Sequence, residues 1–253
     1  MEIQGDLAQL YAGMPLVIQG ANVAMEQPKL RDIIAFGEDD FLTCVQLFTH
    51  ADVFAKRIRQ GNPQLAMLDD FQLLLVIIRE DKEQKKIIQE FFDLLFPSLD
   101  IEIVRGCINF KTKEEPRIIG RLDSFCFESF QKVLTQAFIP SKSGEEEIEY
   151  NPANAQAAEI AAKLKRGNEI RNKLRAQENN VKSLYTNYIS ALGIGLAMDI
   201  NIFLDYTSFQ LFDAFKRYTI KMSYDLYQRV STMPMMDTSK MKEPDNWLDD
   251  LYK

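Results

Sequence analysis

The side chains that could carry acid–base chemistry are one histidine and three pairs of adjacent aspartates. The only histidine is His50, and the pairs are Asp39 with Asp40, Asp69 with Asp70, and Asp249 with Asp250. Adjacent side chains on a helix or strand point apart, so these pairs are poorly placed to share one reacting bond or one metal ion. His50 falls at the end of a predicted helix, where capping or simple exposure is expected. Because no nucleophile has a recognisable base, the sequence predicts a protein that is not an enzyme.

Cofactor-binding signatures are missing from the sequence as well. Cys44, Cys107 and Cys126 lie far apart and form no CxxC pair, so we expect buried thiols in a reducing compartment. The GIG at residues 193–195 lacks the third glycine of a dinucleotide-binding loop and follows no predicted strand, so we interpret it as a helix stop. GxSxG and Walker sequences do not occur. We predict neither a cofactor nor a metal site.

A basic run, KLKRGNEIRNKLR, occupies residues 163–175 and holds six positive charges against one negative. The simplest interpretation is the solvated face of an alanine-rich helix. The alternative is a docking face for an acidic partner or a nucleic acid, formed by Lys163, Lys165, Arg166 and Arg171. No aromatic residue interrupts the run, which disfavours single-strand binding by base stacking. We therefore list these residues as partner-binding candidates and do not expect nucleic acid as the partner.

The last nine residues, DNWLDDLYK, contain the only tryptophan of the chain. Trp247, Leu248, Leu251 and Tyr252 would share one side of a helix, with acidic residues between them. Such a short amphipathic segment either folds back on its own domain or docks in a groove of another protein. Tryptophan is over-represented at the energetic centre of protein interfaces. The four apolar residues are therefore partner-binding candidates, with both alternatives open.

The chain divides into regions of different charge. Residues 1–150 carry 16 Lys and Arg against 25 Asp and Glu, and residues 151–253 carry 14 against 12. We predict an α+β domain at 1–139, an acidic linker at 140–150, a helical region at 151–232 and a flexible tail at 233–253. The most apolar run, residues 73–78, is much shorter than a membrane span, and acidic residues stand where a secretory signal needs positive charge. We expect a cytosolic protein without a membrane partner.

The N-terminal region shows the patterns of a small sheet with helices packed on it. Gly20 and Asn22 predict a hairpin turn between two short strands, and Gly106 predicts a second strand–turn–strand unit within residues 101–110. Residues 117–120 could add a strand. A helix is predicted from Glu38, whose apolar residues at three-to-four spacing are Phe41, Val45 and Phe48 and, less regularly, Phe54 and Ile58.

Three further elements complete this region. Residues 69–80 could be a helix or a buried strand, since a continuous apolar run does not decide between them. Asp81 and Gln84 resemble a capping pattern before a helix that Pro97 stops. A last helix begins near Asp123 or Ser124, one of which would cap it.

The C-terminal half is predicted to be helical. Asn151 and Pro152 begin a first helix, and a second helix ends at the 193–195 glycines. Thr207 and Gln210 form a capping box for a third helix that runs to about Val230. The aromatic part of this helix, residues 209–227, is predicted to be core, with a groove or a partner-helix surface as the alternative. Its continuous apolar seam consists of Phe212, Phe215, Tyr218, Met222, Leu226 and Val230. The predicted fold class is α+β and mostly helical.

Two stretches together resemble a known group of proteins. YAGMPLVIQGANVAMEQPKLRDIIAFGEDDF at residues 11–41 is similar to the opening of tailed-bacteriophage proteins encoded near tail genes of phages that infect Gram-positive hosts. The second stretch runs from NPANAQAAEIAAKLKRGNEIRNKLR through YTSFQLFDAFKRYTIKMSYDLYQRVSTM to DNWLDDLY, and it is similar to the same group. Members are described as tail assembly chaperones or as virion proteins of unknown role.

The resemblance implies a protein that binds other proteins and catalyses no reaction. A tail assembly chaperone is expected to coat the long helical tape-measure protein and to help tail-tube subunits polymerise around it in the host cytoplasm. Three alternatives remain open at this point. They are the chaperone, a permanent virion subunit of the tail, baseplate or connector that self-associates, and a nucleic-acid-binding accessory protein.

Overall fold

The computed structural model describes residues 7–61, 65, 67–114, 117–139, 183–232 and 244–248. This part of the chain contains mostly helices with two small antiparallel sheets, so the predicted α+β, mostly helical class is confirmed. The elements, in chain order, are α1 Leu7–Ala12, β1 Leu16–Ile18, β2 Val23–Met25, α2 Leu30–Phe36, α3 Glu38–Thr49, α4 Ala51–Gly61, α5 Asp70–Glu80, α6 Lys82–Leu95, β3 Leu99–Val104, β4 Cys107–Thr112, β5 Ile118–Leu122, α7 Phe127–Phe138, α8 Leu184–Leu196, α9 Ile200–Phe203 and α10 Ser208–Ser231.

Both predicted strand pairs are present. In the hairpin of β1 and β2, Asn22 has φ 56° and Gly20 has φ 85°, so both turn residues use the left-handed region. The second sheet has the order β3-β4-β5. The two sheets meet where the Arg121 amide donates to the Ala21 carbonyl at 3.0 Å. Gly120 allows this approach, because an added Cβ would lie 2.5 Å from that carbonyl oxygen.

One predicted helix of the N-terminal region is divided in the structure. The helix predicted from Glu38 to about Ile58 is two helices, because α3 ends at Thr49, with His50 as its C-cap, and α4 starts at Ala51. The undecided run at 69–80 is helix α5, and the Asp69 side chain caps it by accepting from the Gln72 amide at 2.8 Å. The predicted cap of the next helix is confirmed, since Asp81 accepts from the amides of residues 83 and 84.

The predicted cap of helix α7 is wrong. The helix begins at Phe127, with Cys126 at the N-cap position and no side-chain capping bond. Asp123 instead accepts from the Phe125 amide at 3.0 Å, and the Ser124 hydroxyl donates to Asp69 at 2.6 Å. An aspartate that bonds the amide two residues ahead closes a turn, so the helix starts after that turn.

The predicted end of helix α8 at the two glycines is also wrong. The helix runs through Gly193 and Gly195 to Leu196, and its C-cap residue Ala197 has φ 52°. Both glycines make room for neighbours. An added Cβ on Gly193 would lie 2.7 Å from Ile200 Cγ2, and one on Gly195 would overlap the Tyr218 ring. The capping box of Thr207 and Gln210 at the start of α10 is confirmed.

One hydrophobic core joins elements from both halves of the chain. Helices α3, α6 and α7 contribute Phe41, Phe91 and Phe130, and helices α8 and α10 contribute Tyr185 and Phe212 to the same cluster. The Glu38 carboxylate at the start of α3 also connects the two halves through hydrogen bonds. It accepts from the Leu184 amide at 2.5 Å and the Tyr185 amide at 3.2 Å, and also from the Ser183 hydroxyl. Helix α8 is therefore fixed at its N-terminus by a side chain from the N-terminal region.

Candidate functional site

The described candidates His50, Asp69 and Asp70 each contact another side chain or a backbone amide. His50 is exposed at the end of α3, where its Nδ1 is 3.0 Å from the Thr49 hydroxyl. Asp69 is a helix cap, and Asp70 forms an ion pair with Arg59 at 2.6 Å. Asp249 and Asp250 lie outside the described residues. Within the part of the chain that the structure describes, no group of three or more His, Cys, Asp or Glu side chains could hold a metal ion.

The three thiols are buried. Burial, with a smaller contribution from the negative charge of Asp40, raises the pKa of Cys44 to about 12. Burial also raises the pKa of Cys126 above its ordinary value. A thiol in such surroundings is protonated at neutral pH and is a poor nucleophile.

The predicted partner-binding residues divide into two sets. Trp247 and Leu248 are described. Six others lie outside the described residues: Lys163, Lys165, Arg166, Arg171, Leu251 and Tyr252. The predicted helix start at Asn151 and the acidic segment 140–150 also lie outside. The part of the predicted binding site that the structure describes is therefore the tail segment 244–248 and the elements near it.

The tail segment returns to the side of helix α10. Arg217 Nη1 donates to the Trp247 carbonyl at 2.9 Å. The Trp247 side chain is half-buried, whereas Leu248 is 69 % exposed. The Leu248 amide donates to Asn246 Oδ1 at 3.0 Å, which gives the segment a local turn. The tail is thus attached to its own chain through a backbone carbonyl, and an apolar side chain next to it faces solvent.

Two residues position the Arg217 guanidinium. Asp213, one helical turn earlier, accepts from Arg217 Nε at 3.1 Å and its side chain is only 7 % exposed. Arg217 Nη2 donates to the Tyr11 hydroxyl of helix α1 at 3.3 Å. Burial raises the pKa of Tyr11, while the hydrogen bond from Arg217 opposes the shift. Asp213 of α10 and Tyr11 of α1 thus hold the guanidinium on two sides, and Arg217 donates a further N–H group to the tail.

Sequence reasoning missed Arg217 as part of the tail site. Asp213 and Arg217 stand at i and i+4 of helix α10, which is the spacing of a helical ion pair. That signal identifies the pair. It does not indicate that Tyr11, about 200 residues away in the chain, or the tail would be its further partners.

A second candidate surface lies where helix α8 ends. Five large apolar side chains between residues 194 and 202 are exposed to solvent, and we call them the apolar ledge. Their exposed fractions are Ile194 82 %, Leu196 43 %, Met198 38 %, Ile200 53 % and Ile202 44 %. Exposed apolar clusters of this kind commonly mark interaction sites.

The seam of helix α10 is exposed in its C-terminal part, so the sequence prediction of core was wrong in part. Phe212 is buried, but Met222 is 54 % exposed and Leu226 is 62 % exposed. We call Met222 and Leu226 the exposed seam. The predicted core stripe is core only alongside α8, which ends before the stripe does.

Across the described residues, no helix is both long and apolar enough to cross a membrane. No family model matches the chain. Comparisons with curated proteins and with solved structures likewise gave no match.

Proposed function

We propose that this chain is a non-enzymatic assembly chaperone of a bacteriophage tail, which binds the tape-measure protein or the tail-tube protein during tail assembly. The resemblance of residues 11–41 and of the C-terminal half motivates the identity of the partner. The tail site supports the proposal from the structural side. An assembly chaperone needs a contact surface that can engage and release its client.

The observation that carries the proposal is the placement of the tail. Arg217 holds the Trp247 backbone at 2.9 Å, and the neighbouring Leu248 side chain is 69 % exposed. An anchored backbone reduces the conformational entropy that a partner must remove to bind the segment. A tryptophan next to an exposed leucine offers the kind of apolar centre that dominates interface energies. The tail therefore exposes the Leu248 side chain for a partner while its backbone remains bonded to Arg217.

The test is a calorimetric titration of the full chain against purified tape-measure protein and purified tail-tube protein. We expect Trp247→Ala to weaken binding to one of them by about 2 kcal/mol, which is roughly thirtyfold in Kd. Phe125→Ala is the matched control, because Phe125 is an aromatic side chain that is 98 % exposed on a different loop. The control should bind like the wild type.

Two results would overturn the proposal. One is a wild-type chain that binds neither tail protein at concentrations up to about 100 μM, where even a weak complex of about 5 kcal/mol would be detected. The other is equal affinity for the wild type and Trp247→Ala, which would remove the tail from the contact. A loss of binding in both Trp247→Ala and Phe125→Ala would indicate that the variants are not correctly folded. Circular dichroism of the free variants measures whether their secondary structure is retained.

A further inference from the structure

The Arg217 guanidinium is oriented by two residues that do not belong to the tail. Asp213 of α10 accepts from Arg217 Nε at 3.1 Å, and the Asp213 side chain is only 7 % exposed. The Tyr11 hydroxyl of α1 accepts from Arg217 Nη2 at 3.3 Å. A donor group whose direction is already fixed loses less conformational entropy when a ligand binds. The Arg217 side chain thus has supports for its orientation that remain when the tail leaves.

Contacts between α1 and α10 fix the position of Tyr11. Gln210 Nε2, in the first turn of α10, donates to the Tyr11 carbonyl at 2.6 Å. The Tyr11 ring packs edge-to-face on Phe209, with ring centroids 5.2 Å apart, and Phe209 is buried. A hydrogen bond and a ring contact to the same helix restrict both the backbone and the side chain of Tyr11. The second support of Arg217 is therefore part of the folded body of the protein.

The tail brings a negative charge to Lys216, the residue before Arg217. Burial lowers the pKa of Lys216, while the negative charges of Asp213 and Asp245 oppose this shift. Asp245 is exposed and lies two residues before Trp247, whose carbonyl accepts from Arg217 Nη1 at 2.9 Å. Two adjacent cations of α10 therefore interact with two points of one tail segment.

These contacts define the chemistry of a ligand for this part of the protein. A backbone carbonyl is present at every residue, so the Arg217 bond by itself has no preference for a sequence. The preference comes from the carboxylate two residues earlier, which interacts with Lys216, and from the half-buried Trp247 side chain. The tail has both features in the sequence EPDNWLDD, where four of eight residues are acidic. A matching ligand is an acidic peptide with a tryptophan two residues after an aspartate.

We propose that Lys216 and Arg217 form a binding site for an acidic, tryptophan-containing peptide, in which the tail is a tethered occupant that a free peptide of the same chemistry replaces. An attached ligand competes at an effective concentration on the order of 1 mM for a short connection. The tail therefore excludes free peptides at micromolar concentration, and the site opens when the tail is weakened or drawn away. The site belongs to the body of the protein, so it does not rest on the proposed function of the tail.

Ionic strength should control the affinity of this site. Asp245 is exposed, and the Arg217 side chain is 33 % exposed. Salt screens charges at such positions over distances of about 8–10 Å. We therefore expect the peptide affinity to fall about threefold when sodium chloride is raised from about 0.05 M to about 0.5 M. A purely apolar contact would not weaken over this range.

The test is fluorescence anisotropy of a labelled peptide, EPDNWLDDLYK, which copies residues 243–253. The full chain with Trp247→Ala is the receptor, because its own tail lacks the tryptophan and competes poorly. We expect saturable binding with a Kd below about 100 μM, and binding to the wild-type chain at least about tenfold weaker. The peptide with Asp245→Asn should bind about threefold more weakly, since it lacks the charge that interacts with Lys216.

Further variants of the receptor test which side chains form the site. Adding Arg217→Ala to the Trp247→Ala chain should weaken peptide binding about tenfold, and adding Lys216→Gln should weaken it about threefold. Lys216→Gln leaves the Arg217 side chain and its two supports in place, so it tests the site even if Arg217→Ala disturbs the fold. Lys221→Met is the matched control, because Lys221 is a half-exposed cation one turn further along α10. The control should bind the peptide like the Trp247→Ala receptor.

Four results would overturn the proposal. They are no binding of the peptide to the Trp247→Ala receptor up to about 1 mM, equal affinity of the wild-type and Trp247→Ala chains, equal affinity for the two peptides, and unchanged affinity in the Arg217→Ala or the Lys216→Gln receptor. The proposed function is tested separately, because its titration uses the tail proteins. A chain that binds the peptide but neither tail protein would keep this site and lose that function.

Discussion

Arg217→Ala removes the side chain that attaches the tail, and the single tryptophan of the chain reports on the result. The substitution deletes bonds to the Trp247 carbonyl at 2.9 Å, to Asp213 at 3.1 Å and to the Tyr11 hydroxyl at 3.3 Å. Hydrogen bonds to a charged group contribute about 1.5–3 kcal/mol when buried. Arg217 is one-third exposed, so solvent screening reduces this value. We expect a loss of about 2 kcal/mol in the free energy of unfolding, which lowers Tm by about 4–8 °C.

The effect on the tail is a separate quantity. The bond to the Trp247 carbonyl is one partly exposed, charge-assisted hydrogen bond, and its loss should favour the detached tail by about 1 kcal/mol, or roughly fivefold. Since Trp247 is the only tryptophan, its fluorescence comes from the tail alone. The emission maximum should shift to the red and acrylamide quenching should increase in Arg217→Ala, measured well below the melting transition.

Lys221→Met is the control for Arg217→Ala. Lys221 lies one turn further along α10 and forms an ion pair with Asp225 at 3.5 Å, with both side chains about half exposed. Such i,i+4 pairs contribute about 0.3–0.5 kcal/mol. The control should therefore melt within about 2 °C of the wild type and leave the tryptophan emission unchanged. If Arg217→Ala has wild-type emission and quenching, the Arg217 contact does not hold the tail and the reasoning is refuted.

Two further predictions concern stability. Gly120→Ala should lower the free energy of unfolding by about 2–3 kcal/mol in chemical denaturation, because its Cβ would press on the Ala21 carbonyl oxygen, which a side-chain rotation cannot move. Gly106→Ala, with φ 84° and no atom within 4 Å of the added Cβ, should cost only about 1 kcal/mol of backbone strain, and equal losses would contradict the packing argument. The pKa of Cys44 is raised from 9.0 to about 12 in the fold, so its protonated form stabilises the protein below pH 9 and this contribution is lost as the pH rises toward 12. The stability difference between wild type and Cys44→Ala should shrink over that interval, and a constant difference would contradict the assigned pKa.

Local signals in the sequence predicted the parts of the fold that depend on neighbouring residues. The Asp81 cap, the Thr207–Gln210 capping box and the turn at Asn22 each involve side chains and amides within a few residues. A short polar side chain satisfies the same helix or turn amides in almost any protein, so these patterns predict caps and turns from the sequence alone. The mostly helical α+β class follows from such signals together with the spacing of apolar residues.

The features that the sequence did not predict depend on distant contacts. Two glycines close together in sequence are typical of a helix end, but Gly193 and Gly195 lie within the helix. Their missing side chains let Ile200 and Tyr218 pack closely against it. The seam of α10 has a continuous apolar spacing, yet only the length of a different helix determines where it becomes exposed at Met222. Periodicity indicates which face of a helix is apolar and does not indicate what covers it.

The candidate site shows the same limit. Sequence composition indicated the Trp247 segment as a contact element, because an isolated tryptophan between acidic residues is unusual outside a core. The residue that holds this segment is Arg217, and its environment is assembled from α1, α10 and the tail. A site built from three segments about 200 and 30 residues apart leaves no local pattern from which it could be predicted.

The proposed function assigns this chain to a bacteriophage, and quantitative mass spectrometry of cells infected with that phage and of its purified particles tests the assignment most directly. A chaperone acts during assembly and is released. We therefore predict abundant peptides from this chain in the infected-cell lysate and none above background in purified virions. A fixed copy number per virion would contradict the chaperone and assign the chain to the particle as a structural subunit.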